Sequence, residues 1–341
     1  MKAMAIVRLG PIQEDRHPLE PADRPVPVPG PGEILVRVAA CGVCHTELDE
    51  IEGRTPPPRL PVIPGHQVVG RVAGAGQGAA AFKEGNRVGV GWIHSACGHC
   101  SLCLSGRENL CRDFRATGRD ADGGYAEYMT MPAAFALPIA DGLTDLEAAP
   151  LLCAGAVGWR ALRLANLADG QALGLTGFGA SNHLVLMAAR FRWPSLRIHV
   201  FARSPEERAF ARELGAAWAG DTGEAPPEPL DAIIDTTPVW TPVLAALRAL
   251  APGGRLVVNA IRKEETDKDV WRTLDYASHL WLEKSVQSVA NVTRNDIAEF
   301  LTLAAEAGLR PEIETYPLER ANEALCDLKA RRIRGAKVLK I

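Results

Sequence analysis

The sequence has no apolar run of the roughly 18 residues that a membrane span requires. Its first ten residues alternate like a strand and lack the basic-then-apolar pattern of a secretory signal. Those two absences predict a cytoplasmic protein with no membrane partner. Excess charge of either sign is also missing: 38 Lys and Arg against 41 Asp and Glu leave a net charge of −3. Nothing electrostatic therefore points to nucleic acid as a partner. No internal repeat and no low-complexity segment occurs. What remains is an ordinary globular composition, 47 % hydrophobic and 23 % charged, over 341 residues, a length that suits two domains.

Cysteine is the first sharp feature. Four of the eight cysteines, Cys97, Cys100, Cys103 and Cys111, fall at the spacing C-x2-C-x2-C-x7-C. In a chain of this kind, clustered cysteines mean metal more often than disulfides. Zinc takes four soft ligands in a tetrahedron, and short loops between thiolates let one lobe supply all of them. Gly98, His99, Ser101, Gly106 and Asn109 between them are turn formers rather than a core pattern. Closed coordination by four thiolates leaves no position for a substrate, so this pattern predicts a structural zinc.

The texture of the chain changes near Gly155. Before it, short alternating stretches at 34–39, 68–73, 87–90 and 125–130 predict strands, with proline clusters at 18–31 and 56–64 as loops or edges. After it, strands at 172–176, 197–201, 231–235 and 255–259 alternate with helices, which predicts a doubly wound parallel sheet. The helix after Phe201 has Ser204 as N-cap, Pro205 at its first position and Glu207 placed to close a capping box. Pro252, Gly253 and Gly254 read as a turn. Residues 297–304 have helical spacing behind a Thr293 or Asn295 cap, and residues 336–341 read as a final strand.

A glycine-rich turn follows the strand 172–176. Gly177, Phe178, Gly179, Ala180, Ser181 and Asn182 form G-x-G-x-x-N, a dinucleotide fingerprint whose third glycine is missing; Asn182 asks for more room between helix and strand. The next strand should end about twenty residues on with a carboxylate that grips the ribose hydroxyl of NAD. Here stand Ala202, Arg203 and Ser204, with no carboxylate before Glu206. A small residue followed by a cation and a hydroxyl leaves room and charge for a 2′-phosphate, so NADP is expected to be preferred, with NAD possible.

Several motifs in chain order carry a family resemblance: Cys41-Gly42-Val43-Cys44-His45-Thr46-Glu47-Leu48, Pro64-Gly65-His66-Gln67-Val68-Val69-Gly70, the four-cysteine lobe, and Leu152-Cys153-Ala154-Gly155. Together they resemble the zinc-containing alcohol dehydrogenases of the medium-chain dehydrogenase/reductase superfamily, over nearly the whole chain. The resemblance implies an α/β protein with a GroES-like, β-rich catalytic domain (1–152) carrying both zinc sites. It further implies a Rossmann coenzyme domain (153–290) and a C-terminal segment (291–341) returning to the catalytic domain. It implies two zinc ions per chain and a dimer or tetramer.

Residue by residue, Cys44, His66 and Cys153 match the catalytic zinc ligands, and three protein ligands leave the fourth position open. The resemblance, not the spacing, selects Cys44 over Cys41; Cys41 and Cys326 are then surplus and read as small buried hydrophobes. Thr46 matches the hydroxyl that takes the alcohol proton, and His45 a basic position near the coenzyme pyrophosphate. Glu47 stands where the family has an Asp behind the ligand histidine, Gln67 where it has a Glu, and Asp49 where a histidine often ends the proton relay. Arg334 is a candidate for the arginine that often contacts pyrophosphate, since Ala336 occupies the matching position. Trp92 and Trp159 match positions near the substrate cleft.

The reaction implied is hydride transfer between an alcohol or aldehyde substrate and the nicotinamide, with zinc as Lewis acid. Two other readings start from the same scaffold: a zinc-free reductase of conjugated C=C bonds, and a catalytically weak binding protein.

Overall fold

The computed structural model describes residues 1–13, 17–332 and 334–341. The chain divides into two compact units, Met1–Ala156 with Val292–Ile341, and Val157–Asn291. Among the described residues no helix is long and apolar enough to cross a membrane.

The first unit is built on the strand Glu33–Val43. Its residues Ile34, Val36, Val38 and Ala40 alternate into the core, each burial of a Val or Ile contributing about 1.5–3 kcal/mol. Gln67–Ala75 pairs antiparallel along one edge, followed outward by Arg87–Val90 and Ala136–Pro138. The other edge is shared. Tyr128–Pro132 pairs with its first half, and the C-terminal strand Ala336–Lys340 pairs with its second half, followed by Ile313–Pro317. The last fifty residues thus complete the sheet that the first 140 begin. Their helix Arg294–Glu306 is started by Thr293, whose hydroxyl accepts the Asp296 N–H while the Asp296 carboxylate accepts the Thr293 N–H, a box on the order of 1 kcal/mol.

The second unit is a six-stranded sheet of parallel strands in the order Trp218–Gly220, Arg197–Phe201, Ala172–Thr176, Leu230–Asp235, Leu250–Val258, Ser285–Ser288. The first strand in sequence is central and all five of its residues are buried. The order reverses beside it, between Ala172–Thr176 and Leu230–Asp235, and in open α/β sheets ligands bind in the crevice at such a reversal.

Two expectations need correction here. Pro252, Gly253 and Gly254 do not form a separate turn. They lie inside Leu250–Val258, where pairing slips from Leu230↔Leu250 to Ala232↔Arg255 and Gly253 takes the left-handed backbone (φ +73°) that glycine tolerates. Ser204 does cap Pro205–Glu213, accepting the N–H groups of Glu206 and Glu207, but Glu207 does not close a box. The Ser204 hydroxyl donates to the Glu206 carboxylate instead.

Candidate active site and metal centres

The long strand ends at Val43, and Cys44, still extended, N-caps the helix His45–Ile51. Every residue of that helix from Thr46 to Ile51 is buried although three are acidic, so the acids require partners. Glu47 has two. Its Oε2 accepts the Cys44 N–H at 2.8 Å and its Oε1 lies 2.6 Å from His66 Nδ1. The extra methylene relative to aspartate lets one carboxylate cap the helix and hold the imidazole together. Asp49 is tied to Arg54 Nε at 2.5 Å.

His66 enters through Gly65, whose φ is +101° and where a Cβ would sit 2.4 Å from the Tyr125 ring and 2.9 Å from Cys41 Sγ. Only glycine passes there. Cys153 ends the 3-10 turn Ala149–Leu152. These three turns bring one donor atom each of Cys44, His66 and Cys153 within 4.8 Å of one another, with His66 Nε2 3.2 Å from Cys153 Sγ. Thr46 Oγ1 lies 3.6 Å from Cys44 Sγ.

The electrostatics suit a cation. The hydrogen bond from Cys153 draws the Cys44 thiol well below its ordinary pKa; burial opposes this and His66 aids it. The Cys153 thiol is raised correspondingly, by that same bond and by burial. Burial pushes His66 toward neutrality, but the Glu47 carboxylate and Cys44 outweigh it and hold the imidazole well above its usual pKa. A buried thiolate and a carboxylate-backed imidazole are a donor set that a divalent metal claims by displacing protons.

Cys97, Cys100, Cys103 and Cys111 converge separately, their sulfurs also within 4.8 Å of one another. Cys97 Sγ is 3.8 Å from Cys103 Sγ and Cys100 Sγ 3.9 Å from Cys111 Sγ, far beyond disulfide length. Backbone N–H groups point at the sulfurs: Cys100 N at Cys97 Sγ (3.3 Å) and Cys103 N at Cys100 Sγ (3.5 Å). The His99 and Cys100 N–H groups hold the Cys97 thiol down at about 6, while burial drives Cys103 up to about 12. The set fits a tetrahedral zinc with no position open.

In the second unit, Gly177 leaves the central strand with φ +76°, and a Cβ on it would lie 3.0 Å from Thr236 Oγ1. Gly179 N-caps the helix Ala180–Arg192, and a Cβ there would meet open space. Ala180 and Ser181 form the first turn, so backbone N–H groups and the positive end of the helix dipole face a site where a phosphate can come close. Ala202 is buried at the end of Arg197–Phe201, Arg203 is exposed, and Ser204 is occupied as the cap.

Two residues and one ring contact of the site were not foreseen from the sequence. Arg208 donates to the carbonyls of Ala202 (2.7 Å) and Arg203 (2.9 Å), fixing the loop that carries them. Glu50, one helical turn after Glu47, is 1 % exposed, and burial, with the Glu47 charge second, raises its carboxyl well above the usual range. Trp92 packs edge-on against His66 at 6.5 Å. The i, i+3 spacing of Glu47 and Glu50 was the available signal for the second of these. Of the remaining candidates, His45 is exposed at the helix start, and Arg334 lies 3.5 Å from Glu312. Cys41 is buried, but Cys326 is only half-buried, its Sγ 3.6 Å from the Gln13 carbonyl, which corrects its reading as a buried hydrophobe.

A β-rich unit with two thiolate centres, together with a doubly wound sheet and a glycine turn at its switch point, defines a zinc-binding, nucleotide-dependent dehydrogenase. Comparison with known proteins gives the family. Residues 30–141 match the alcohol dehydrogenase GroES-like domain and residues 212–339 the zinc-binding dehydrogenase domain. The chain is 46 % identical to a probable alcohol dehydrogenase AdhA of Mycobacterium tuberculosis, over 100 % of this chain and 97 % of that protein. It is 33 % identical to an alcohol dehydrogenase of Geobacillus stearothermophilus, over 97 % and 98 %. Its structure resembles a cinnamyl alcohol dehydrogenase of Sorghum bicolor at a TM-score of 0.86 and 27 % identity, covering 99 % of this chain and 97 % of that one. The chain belongs to the zinc-type alcohol dehydrogenases of the medium-chain dehydrogenase/reductase superfamily. It is an NAD(P)-dependent oxidoreductase of small-molecule alcohols and their carbonyl partners.

Proposed function

We propose that Cys44, His66 and Cys153 hold a catalytic zinc and that Cys97, Cys100, Cys103 and Cys111 hold a structural one, two per chain. The observation that carries this reading is the convergence of one thiolate, one thiol and one imidazole with a carboxylate behind it. That convergence also disfavours a zinc-free C=C reductase. When bound, zinc supplies Lewis acidity and the coenzyme supplies the hydride acceptor or donor. The chain's own residues do the rest. Glu47, its carboxylate 2.6 Å from His66 Nδ1, favours the tautomer that presents Nε2 to the metal. The Thr46 hydroxyl takes the substrate proton, and Asp49, paired with Arg54, is the candidate for passing it on. Residues 1–152 and 291–341 form the catalytic domain and residues 153–290 the coenzyme domain, where Gly177, Gly179, Ala180 and Ser181 receive the pyrophosphate.

NADP is the preferred coenzyme in this reading, because Ala202 offers no carboxylate and Arg203 is exposed beside it. Steady-state kinetics with both coenzymes test it. Ala202→Asp with Arg203→Ile should reverse the preference, which in the unaltered enzyme should weaken with salt. Equal or better kcat/KM with NAD in the unaltered enzyme would reject it.

Thiolate ligands suit a reducing compartment such as the cytoplasm. A two-fold dimer, alone or within a tetramer, is supported by the sheet edge: all four residues of Ser285–Ser288 are exposed, next to exposed Trp281 and Leu282. A monomer by light scattering would reject it.

A further inference from the structure

Asn182 stands where the dinucleotide fingerprint asks for glycine or alanine, yet it is fully buried. Its Nδ2 lies 2.7 Å from the Gly177 carbonyl, 3.1 Å from the Thr176 carbonyl and 3.1 Å from Thr236 Oγ1. All three neighbours can accept, so the group facing them is the NH2 and the amide orientation is fixed by chemistry. Gly177 needs this donor: its left-handed turn carries its carbonyl beyond the last paired residue of the parallel ladder, where an orphan acceptor is costly. The Thr176 carbonyl also accepts from the Thr236 N–H and the Thr236 hydroxyl, both at 3.0 Å. The end of Ala172–Thr176 is thereby stapled to the end of Leu230–Asp235 across the switch point.

The far side of the staple is itself held. Lys263 donates to the Asp235 carboxylate and to the carbonyls of Thr237 (2.7 Å) and Val239 (3.1 Å), so residues 235–239 form a rigid abutment. The arrangement has a cost. Asn182 Oδ1 is buried and finds no partner among the described residues, a penalty that alanine would not incur. A side chain retained for packing alone would not carry it.

We propose that Asn182 is a positioning residue for the coenzyme: its carboxamide locks the Gly177 turn, and with it the first turn of Ala180–Arg192, in the conformation that receives the pyrophosphate. The proposal rests on the reading of this crevice as the coenzyme site. The experiment is direct titration of the zinc-loaded protein with NADPH and with NADH, followed by intrinsic tryptophan fluorescence, in the unaltered chain, Asn182→Ala, Thr236→Val and the double variant. Kinetics, zinc content and thermal unfolding without coenzyme run beside it.

Asn182→Ala should raise both dissociation constants by about tenfold and by the same factor, because preorganisation is lost at the shared pyrophosphate. Its kcat at saturating coenzyme should stay within roughly twofold, since the reacting groups are untouched. Thr236→Val should give a smaller loss that adds nothing in the alanine background, as for two members of one network. Unchanged dissociation constants with a lower unfolding temperature would overturn the proposal, leaving the amide a packing element. A loss confined to NADPH would also overturn it, since the effect would then lie at the ribose phosphate. If the unaltered protein binds neither coenzyme, it is the reading of the crevice that fails.

Discussion

The two thiolate centres of the first unit solve the same coordination problem in opposite ways. The four cysteines at 97–111 come from one loop of fifteen residues, three of them half-exposed, and take their electrostatic support from backbone N–H groups. Cys44, His66 and Cys153 come from three distant turns, lie mostly buried, and take theirs from a side chain, Glu47. A local, fully thiolate set can organise itself and needs little from the rest of the fold. A scattered set of three is organised by the whole sheet, and in exchange leaves one coordination position for chemistry. That contrast supports the proposed division of labour, in which the first centre serves stability and the second turnover.

Removing one sulfur from each centre should separate them most sharply. Cys153→Ser should lower kcat by roughly three orders of magnitude or more, because several kcal/mol of charge stabilisation depend on the intact metal set. Elemental analysis should then find about one zinc per chain, held by the lobe. Cys103→Ser should instead lower the thermal midpoint and shorten the half-life, with activity per folded, metal-loaded chain little changed. Normal activity in both variants would void the assignment of the two sites.

Thr46→Val comes next. It keeps shape while deleting the hydroxyl 3.6 Å from Cys44 Sγ, and turnover should fall by about 10²-fold, as for a lost general acid–base group. Both zinc ions should remain. Wild-type turnover would mean that the proton leaves by another route.

Glu47→Gln sharpens the contrast in support. The amide can still accept the Cys44 N–H but offers His66 a weaker partner, so zinc affinity at the buried site should drop by about 10–100-fold. Competition with a chromophoric chelator should show one fast-released and one unchanged zinc. Equal release from both would mean that Glu47 does not support the metal.

The same locality decides what could be read from the sequence. Repeated C-x2-C spacing exposed the lobe, and strand–helix alternation with caps such as Ser204 and Thr293 exposed the doubly wound sheet, because those signals lie within a few residues of each other. His66 and Cys153 are 87 residues apart and meet only in the folded sheet, so family resemblance had to supply the pairing. The grip of Arg54 on Asp49, of Arg208 on two loop carbonyls, and of Asn182 on Thr236 leaves no pattern at all: each is a side chain meeting a partner that the turn geometry delivers. Glu207 stands at the right spacing but leaves the Ser204 N–H without its carboxylate, so only half of the expected box forms.

A milder change should arise at the strand Ile93–Ser95, which leads from Trp92, packed on His66, toward Cys97. His94 at its middle is 6 % exposed, and burial, with the Arg115 charge second, lowers its pKa to about 4. Its folded pKa lies below the unfolded value near 6.5, so the unfolded chain binds the proton first. The stability tied to neutral His94 is therefore full above about pH 6.5 and is lost as pH falls toward 4. Between pH 7 and pH 5 the loss should be on the order of 1–2 kcal/mol, a few degrees in the midpoint of the first unit. His94→Gln, which cannot titrate, should flatten that slope while leaving both zinc ions in place at neutral pH. Scanning calorimetry of the zinc-loaded protein at the two pH values measures it; an unchanged slope in His94→Gln would mean that acid acts first on the metal ligands themselves, and that the strand joining the two centres is not the weak point.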